Sequence, residues 1–274
     1  MTRIVGLPVP SFARSLHQHR TLLWRLTQRE LAGRYRGSVL GWSWSLLNPL
    51  LMLAVYTFVF STVFKARWPD LQQAGSLGFA INLFAGLTVF NLFSECVGKA
   101  PTLVLSQPSY VTKVVFPLEL LSAVAVAAAC FQACTSLVVL GAFEWLAIGG
   151  IPATAFWLPL VWVPLLLGCL ALCWLLSALG VFLRDLPQLV SVALSVLMFL
   201  SAVFYPITAL PERWQPLLLA NPLVLVIDQT RRVLVRGEPP QLLYLALGIP
   251  VALLVCELCF RLFQKARRGF ADVL

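Results

Sequence analysis

Six stretches of this chain run for 18 residues or more without a charged side chain: 37–64, 71–94, 120–143, 145–183, 186–211 and 239–256. A helix needs about 20 largely apolar residues to cross a bilayer, so the pattern predicts six spans. The longest stretch, 145–183, is interrupted by Gly149-Gly150-Ile151-Pro152 and leaves one span in its later part. A seventh stretch, 214–227, has only 14 residues and suits a re-entrant or interfacial segment. Composition agrees: 60% of the 274 residues are apolar and 11% are charged, where soluble domains carry about 25% charge. The expected fold is an all-α polytopic membrane protein in a single domain, 1–274. Within it, 1–37 form an N-terminal part with an interfacial helix, 38–264 a six-span bundle and 265–274 a tail.

The formal charge of +9 would suggest nucleic acid in a soluble chain, but here it reads as topology and no nucleic-acid partner is expected. Six spans put both termini on one side. That side carries 14 Lys and Arg (seven of them between Arg3 and Arg36), and the other carries 6. The positive-inside rule then places both termini in the cytoplasm. No cleavable signal is expected, because the run Ile4 to Val9 is short and broken by prolines.

The seven cysteines (Cys96, Cys130, Cys134, Cys169, Cys173, Cys256, Cys259) fall in or at the ends of spans. No His or carboxylate lies beside them at a helix-compatible position, so they read as small apolar packing residues and no metal site is expected.

Residues 20–36 interleave Leu23, Leu26 and Leu31 with Arg25, Arg29, Arg34 and Arg36, with Trp24 suited to headgroup depth. A basic amphipathic helix of this kind lies in the interface plane. Two readings stand side by side: a surface anchor that enforces topology, or a set of arginines that also holds a phosphate, which guanidinium binds bidentately.

The run Arg34-Tyr35-Arg36-Gly37-Ser38-Val39-Leu40-Gly41-Trp42, with Leu46-Leu47-Asn48-Pro49-Leu50 and Tyr56-Thr57-Phe58-Val59-Phe60 behind it, resembles the opening of polysaccharide-exporting ABC transporter permeases. Leu183-Arg184-Asp185, Phe204-Tyr205-Pro206-Ile207, Leu210-Pro211-Glu212-Arg213, Asn221-Pro222-Leu223 and the ending Gly269-Phe270-Ala271-Asp272-Val273-Leu274 follow in order, similar to the O-antigen branch. The resemblance implies a bacterial inner-membrane subunit that exports a lipid-linked polysaccharide. It also implies a homodimer with a separate ABC ATPase on each half, six spans, a cytoplasmic interfacial helix and a re-entrant helical hairpin between spans 5 and 6.

A separate ATPase is also required by the residues. Gly98-Lys99 has Phe93 where a phosphate loop needs glycine and continues into Ala-Pro. No cofactor is therefore expected on this chain, with ATP and Mg on the partner subunit. The loop Pro101 to Pro117 is cytoplasmic by the charge map. By resemblance it docks the ATPase, with Ser106, Gln107, Tyr110, Thr112 and Lys113 available for contacts; a plain polar connector is the other reading. Glu95 with Lys99 and Glu257 with Arg261 stand in the favoured i,i+4 order.

A polysaccharide needs a wall that tolerates many registers, which aromatic faces supply. Trp44, Asn48, Met52, Tyr56, Phe60 and Phe64 form a stripe at successive i+4 positions of span 1, and span 5 carries Phe204 and Tyr205. These are the candidate path residues, against the alternative of ordinary packing. Asn48-Pro49 is expected to kink span 1. Trp214 to Ile227 is read as the hairpin dipping back from the outer face, with Trp214 in the outer gate; Asp228 with Arg231 or Arg232 is read either as a latch or as a solvated loop pair.

Three functions compete. An exporter permease for polysaccharide is first, and a small ABC permease for a drug or another lipid is second. A membrane-embedded glycosyl- or phosphotransferase is third, but it needs clustered acidic residues for metal-bound diphosphate, and no two of the 11 carboxylates here lie closer than ten positions. A secondary transporter is disfavoured because no ionisable residue sits mid-span.

Overall fold

A computed structural model describes residues 10–59, 75–112, 116–209 and 211–273. Phe60, Phe64 and Lys113 lie outside the described residues. The described residues form helices and no strand: α1 (Ser11–Gln18), α2 (Arg20–Tyr35), α3 (Trp44–Thr57), α4 (Gly75–Lys99), α5 (Pro108–Thr112), α6 (Glu119–Ile148), α7 (Leu158–Phe182), α8 (Leu186–Leu200), α9 (Gln215–Leu219), α10 (Pro222–Leu234) and α11 (Leu242–Ala266). Among the described residues, four segments are long and apolar enough to cross a membrane: Leu77–Thr102, Glu119–Ala147, Ala153–Phe182 and Leu242–Phe270. The chain is membrane-integral.

The centre of the bundle is α4, whose most apolar window is 83% buried; that of α11 is 11% buried and therefore peripheral. α4 packs on α6, α10 and α7, and α11 packs on α7. Two close approaches fix these contacts. A Cβ on Gly180 of α7 would lie 2.0 Å from the Pro101 carbonyl oxygen, so only glycine lets α7 touch the turn after α4. A Cβ on Gly86 of α4 would lie 2.7 Å from Arg231 Nη2. Cys96, Cys169, Cys173, Cys256 and Cys259 are buried in the core as packing residues, with Cys130 and Cys134 less enclosed.

Pro49 stands inside α3 and has no N–H for the carbonyl of Ser45, four residues earlier. Gln132 of α6 supplies the missing donor, its Nε2 lying 3.2 Å from Ser45 O. The sequence shows the proline that vacates the bond, and the fold shows the residue that fills it.

Three element boundaries differ from the sequence expectation. Glu144 does not end span 3: α6 continues to Ile148, and Glu144 is 2% exposed inside it. The charge-free stretch 186–211 yields a helix of 15 residues that stops at Leu200. Beyond it Ala202 takes a positive φ of 51°. The carbonyls here meet Arg231, 3% exposed, which donates to Ala202 O (2.9 Å), Val203 O (2.6 Å) and, across the bundle, Asn82 O (3.0 Å). A buried guanidinium needs such partners, and carbonyls released by the end of α8 provide two. Third, the segment after Trp214 does not end at Ile227. It breaks into α9 and α10 at Asn221-Pro222, where the Asn221 side chain accepts from Leu223 N at 3.0 Å, and α10 runs on to Leu234.

Candidate functional site

The helices α3, α4 and α6 enclose a cavity of about 380 Å³. Its wall is partly polar: Asn48 from α3, Thr88, Asn91 and Glu95 from α4, and Gln132 and Ser136 from α6, set among Met52, Tyr56 and Phe84. Each helix contributes because its polar residues recur at helical spacing: Asn48, Met52 and Tyr56 on α3, Thr88, Asn91 and Glu95 on α4, Gln132 and Ser136 on α6. Polar side chains on membrane-spanning helices face the bundle interior or a water-filled space and mark pathways.

Glu95 closes the cavity at the end that carries α2. It forms ion pairs with Arg34 of α2 and, at 3.1 Å, with Lys99. One carboxylate is thus matched by two cations. Arg34 Nε is shielded from solvent and has no hydrogen-bond partner among the described residues. The corner retains positive charge and an unused donor, which is what an anionic headgroup requires.

The interfacial helix also reaches the connector that follows α4. Arg29 Nη2 donates to the Tyr110 hydroxyl at 3.0 Å, and the Tyr110 ring stacks on Phe116 with centroids 4.4 Å apart. Arg267 donates to Phe116 O at 2.8 Å and pairs with Glu119 at 3.1 Å, and Ser15 of α1 donates to Glu119 at 2.9 Å. Helices α1 and α2, the connector, α6 and the C-terminal segment meet in one network. Glu257 adds a second tie, accepting from Ser11 N at 2.9 Å and from Arg261 at 2.8 Å.

The sequence-predicted residues divide accordingly. Asn48 and Tyr56 line the cavity; Trp44, at the start of α3, does not. Phe204 and Tyr205 are elsewhere, packed on the end of α8: Phe204 lies 5.7 Å from the Phe199 ring, and Tyr205 donates to Phe199 O at 2.7 Å. Of the four arginines, Arg29 and Arg34 are engaged as described, while Arg25 and Arg36 are exposed. Ser106 donates to Leu103 O at 3.3 Å and Gln107 N to Val104 O at 3.1 Å, so both are part of the turn before α5. The expected latch is corrected. Asp228 pairs with Arg236 at 3.0 Å and Arg232 with Glu238 at 2.9 Å, since α10 carries Arg231 inward to the carbonyls. Trp214 is half-exposed beneath the Arg213 guanidinium, 5.6 Å away. Thr88, Asn91, Gln132 and Ser136 were missed, although polar residues repeating every three or four positions on apolar helices were visible in the chain.

A helical bundle with a polar cavity and a basic corner fits many transporters, and relatives decide among them. Residues 21–235 match the ABC-2 type transporter family. The chain belongs to that family. It is a transport component, not an enzyme, and members of this family work with an ATPase subunit. This ABC-2 chain is 32% identical over 265 residues to the O-antigen export system permease protein RfbA of Myxococcus xanthus, covering 94% of this chain and 97% of that one. It is 24% identical over 258 residues to the protein of the same name from Klebsiella pneumoniae, covering 92% and 95%. The polysialic acid transport protein KpsM of Escherichia coli is 24% identical over 243 residues, covering 87% and 92%.

Proposed function

We propose that this ABC-2 chain is the membrane subunit that exports a lipid-linked, O-antigen-like polysaccharide across the bacterial inner membrane. It works as a homodimer, with ATP and Mg bound by a separate ATPase. In this reading the chain makes six spans, α3 and α8 completing the four longer ones, and both termini face the cytoplasm. The broken helices α9 and α10 form the re-entrant hairpin.

The observation that carries the reading is the polar cavity between α3, α4 and α6, with Arg34 and Glu95 at its basic end. A lipid (pyro)phosphate is doubly charged and costly to desolvate without a cationic partner. Arg34 and Arg36 receive it, while Arg25 and Arg29 recruit it at the surface. The sugar chain then passes Asn48, Tyr56 and Phe84, where stacking tolerates sliding. Phe60 and Phe64, next in the i+4 series of the sequence, belong to the same proposed path, whereas Trp44, Phe204 and Tyr205 stand outside this cavity. The connector with Ser106, Gln107, Tyr110 and Lys113 receives the ATPase. Trp214, Asp228, Arg231 and Arg232 border the exit. Support also comes from relatives over nearly the full chain whose names describe O-antigen export and polysialic acid transport.

The test is complementation. A strain lacking its O-antigen permease receives this chain with its cognate ATPase, and surface polymer is read by immunoblot. Restored polymer with wild type, and none with a catalytically dead ATPase, supports the reading; intracellular accumulation with both overturns it.

A further inference from the structure

The outward face of α11 carries Leu247, Val251, Leu254, Leu258 and Leu262, each 52–62% exposed. They recur at intervals of three and four and so form one stripe along the helix. Continued by the same intervals, that stripe runs into Arg261, Lys265 and Arg268. These three cations, with Ser11, Phe260 and Gln264, line a groove of about 470 Å³. No acidic residue lines it among the described residues. Arg261 engages Glu257 through Nε, and the Glu257–Ser11 bonds hold α1 against the groove's rim. Lys265 and Arg268 have no ion-pair or hydrogen-bond partner among the described residues.

An apolar stripe leading into a cationic groove at a helix end reproduces the order of a membrane lipid, chains first and phosphate after. The cationic lining (Arg261, Lys265, Arg268) calls for an anionic occupant. We propose that the groove binds the phosphate headgroup of an anionic phospholipid in the leaflet at the basic end, with the lipid's chains lying along α11. The site shares no lining residue with the α3–α4–α6 cavity and does not depend on which substrate is exported.

The permease–ATPase complex in neutral detergent is titrated with phosphatidylglycerol, phosphatidylcholine or inorganic phosphate and read by native mass spectrometry. Juxtamembrane cations contribute roughly 1 kcal/mol each toward anionic lipid. Lys265→Gln with Arg268→Gln should therefore weaken phosphatidylglycerol binding by about tenfold or more, whereas Arg14→Gln with Arg20→Gln, the same charge removed nearby, should leave it within about twofold. Phosphatidylcholine should not bind in the groove. Equal losses from both pairs would reduce the groove to diffuse interfacial charge and overturn the proposal. So would inorganic phosphate binding as tightly as the lipid. Loss of the ATPase subunit from the Lys265/Arg268 variant with lipid binding intact would assign the groove to protein docking instead.

Discussion

Arg34 of the interfacial helix and Glu95 of the central helix form an ion pair at the basic end of the cavity. The pair sets opposite expectations for its two members. Glu95→Gln releases Arg34 and Lys99 from their carboxylate, so the concentration of lipid-phosphate carrier giving half-maximal ATPase stimulation should fall. Arg34→Ala should raise it at least tenfold, with Arg34→Lys between, because lysine keeps the charge and loses the fork. Shifts in the same direction for both would make the pair a structural tie only.

Arg231 should stabilise the fold. Its guanidinium holds carbonyls from α4 and from the end of α8, and bonds to a charged group are worth about 1.5–3 kcal/mol each. Arg231→Leu removes the partners of Ala202 and Val203, and thermal unfolding in detergent should shift down by several degrees. Gly86→Ala should do the same by crowding Nη2. Wild-type unfolding temperatures in both variants would show that these bonds do not stabilise the end of α8.

Gln132 and Pro49 should be energetically coupled. Gln132→Leu leaves Ser45 O without a donor, at a cost of about 1–3 kcal/mol. Pro49→Ala in that background restores an N–H within α3 and should recover part of the loss, although alone it gains little. Additive effects in the double-mutant cycle would contradict the assignment of Gln132 as the replacement donor.

Tyr110→Phe keeps the ring on Phe116 and removes the hydroxyl that accepts from Arg29. In the exporter reading, polymer exported per ATP hydrolysed should drop by up to about tenfold, with the ATPase still bound. Unchanged coupling would move transmission away from this contact.

The chain disclosed its helices where charge was absent and its family where short motifs recurred, because both signals are local. It disclosed Glu95–Lys99 and Glu257–Arg261 for the same reason: i,i+4 partners are set by helix geometry alone. It hid the end of α8, since no residue between 186 and 211 signals that Arg231, thirty positions away, claims the carbonyls there. It hid the Arg34–Glu95 pair, which forms only once α2 packs on α6 and brings Arg34 to α4. Asn48 and Tyr56 were legible as one face of span 1. Their polar counterparts Asn91 and Gln132 become a site only when three helices are assembled.

In the exporter reading this chain moves a lipid-linked polysaccharide at the expense of ATP hydrolysed by a partner. The most direct measurement reconstitutes the permease–ATPase complex in proteoliposomes with a lipid-linked O-antigen-type polymer and follows its protection from an added glycosidase. ATP-dependent protection is expected with wild type and is lost with Arg34→Ala, at unchanged complex assembly. No ATP-dependent change in polymer accessibility, with a drug or simple lipid moved by the same vesicles, would contradict it.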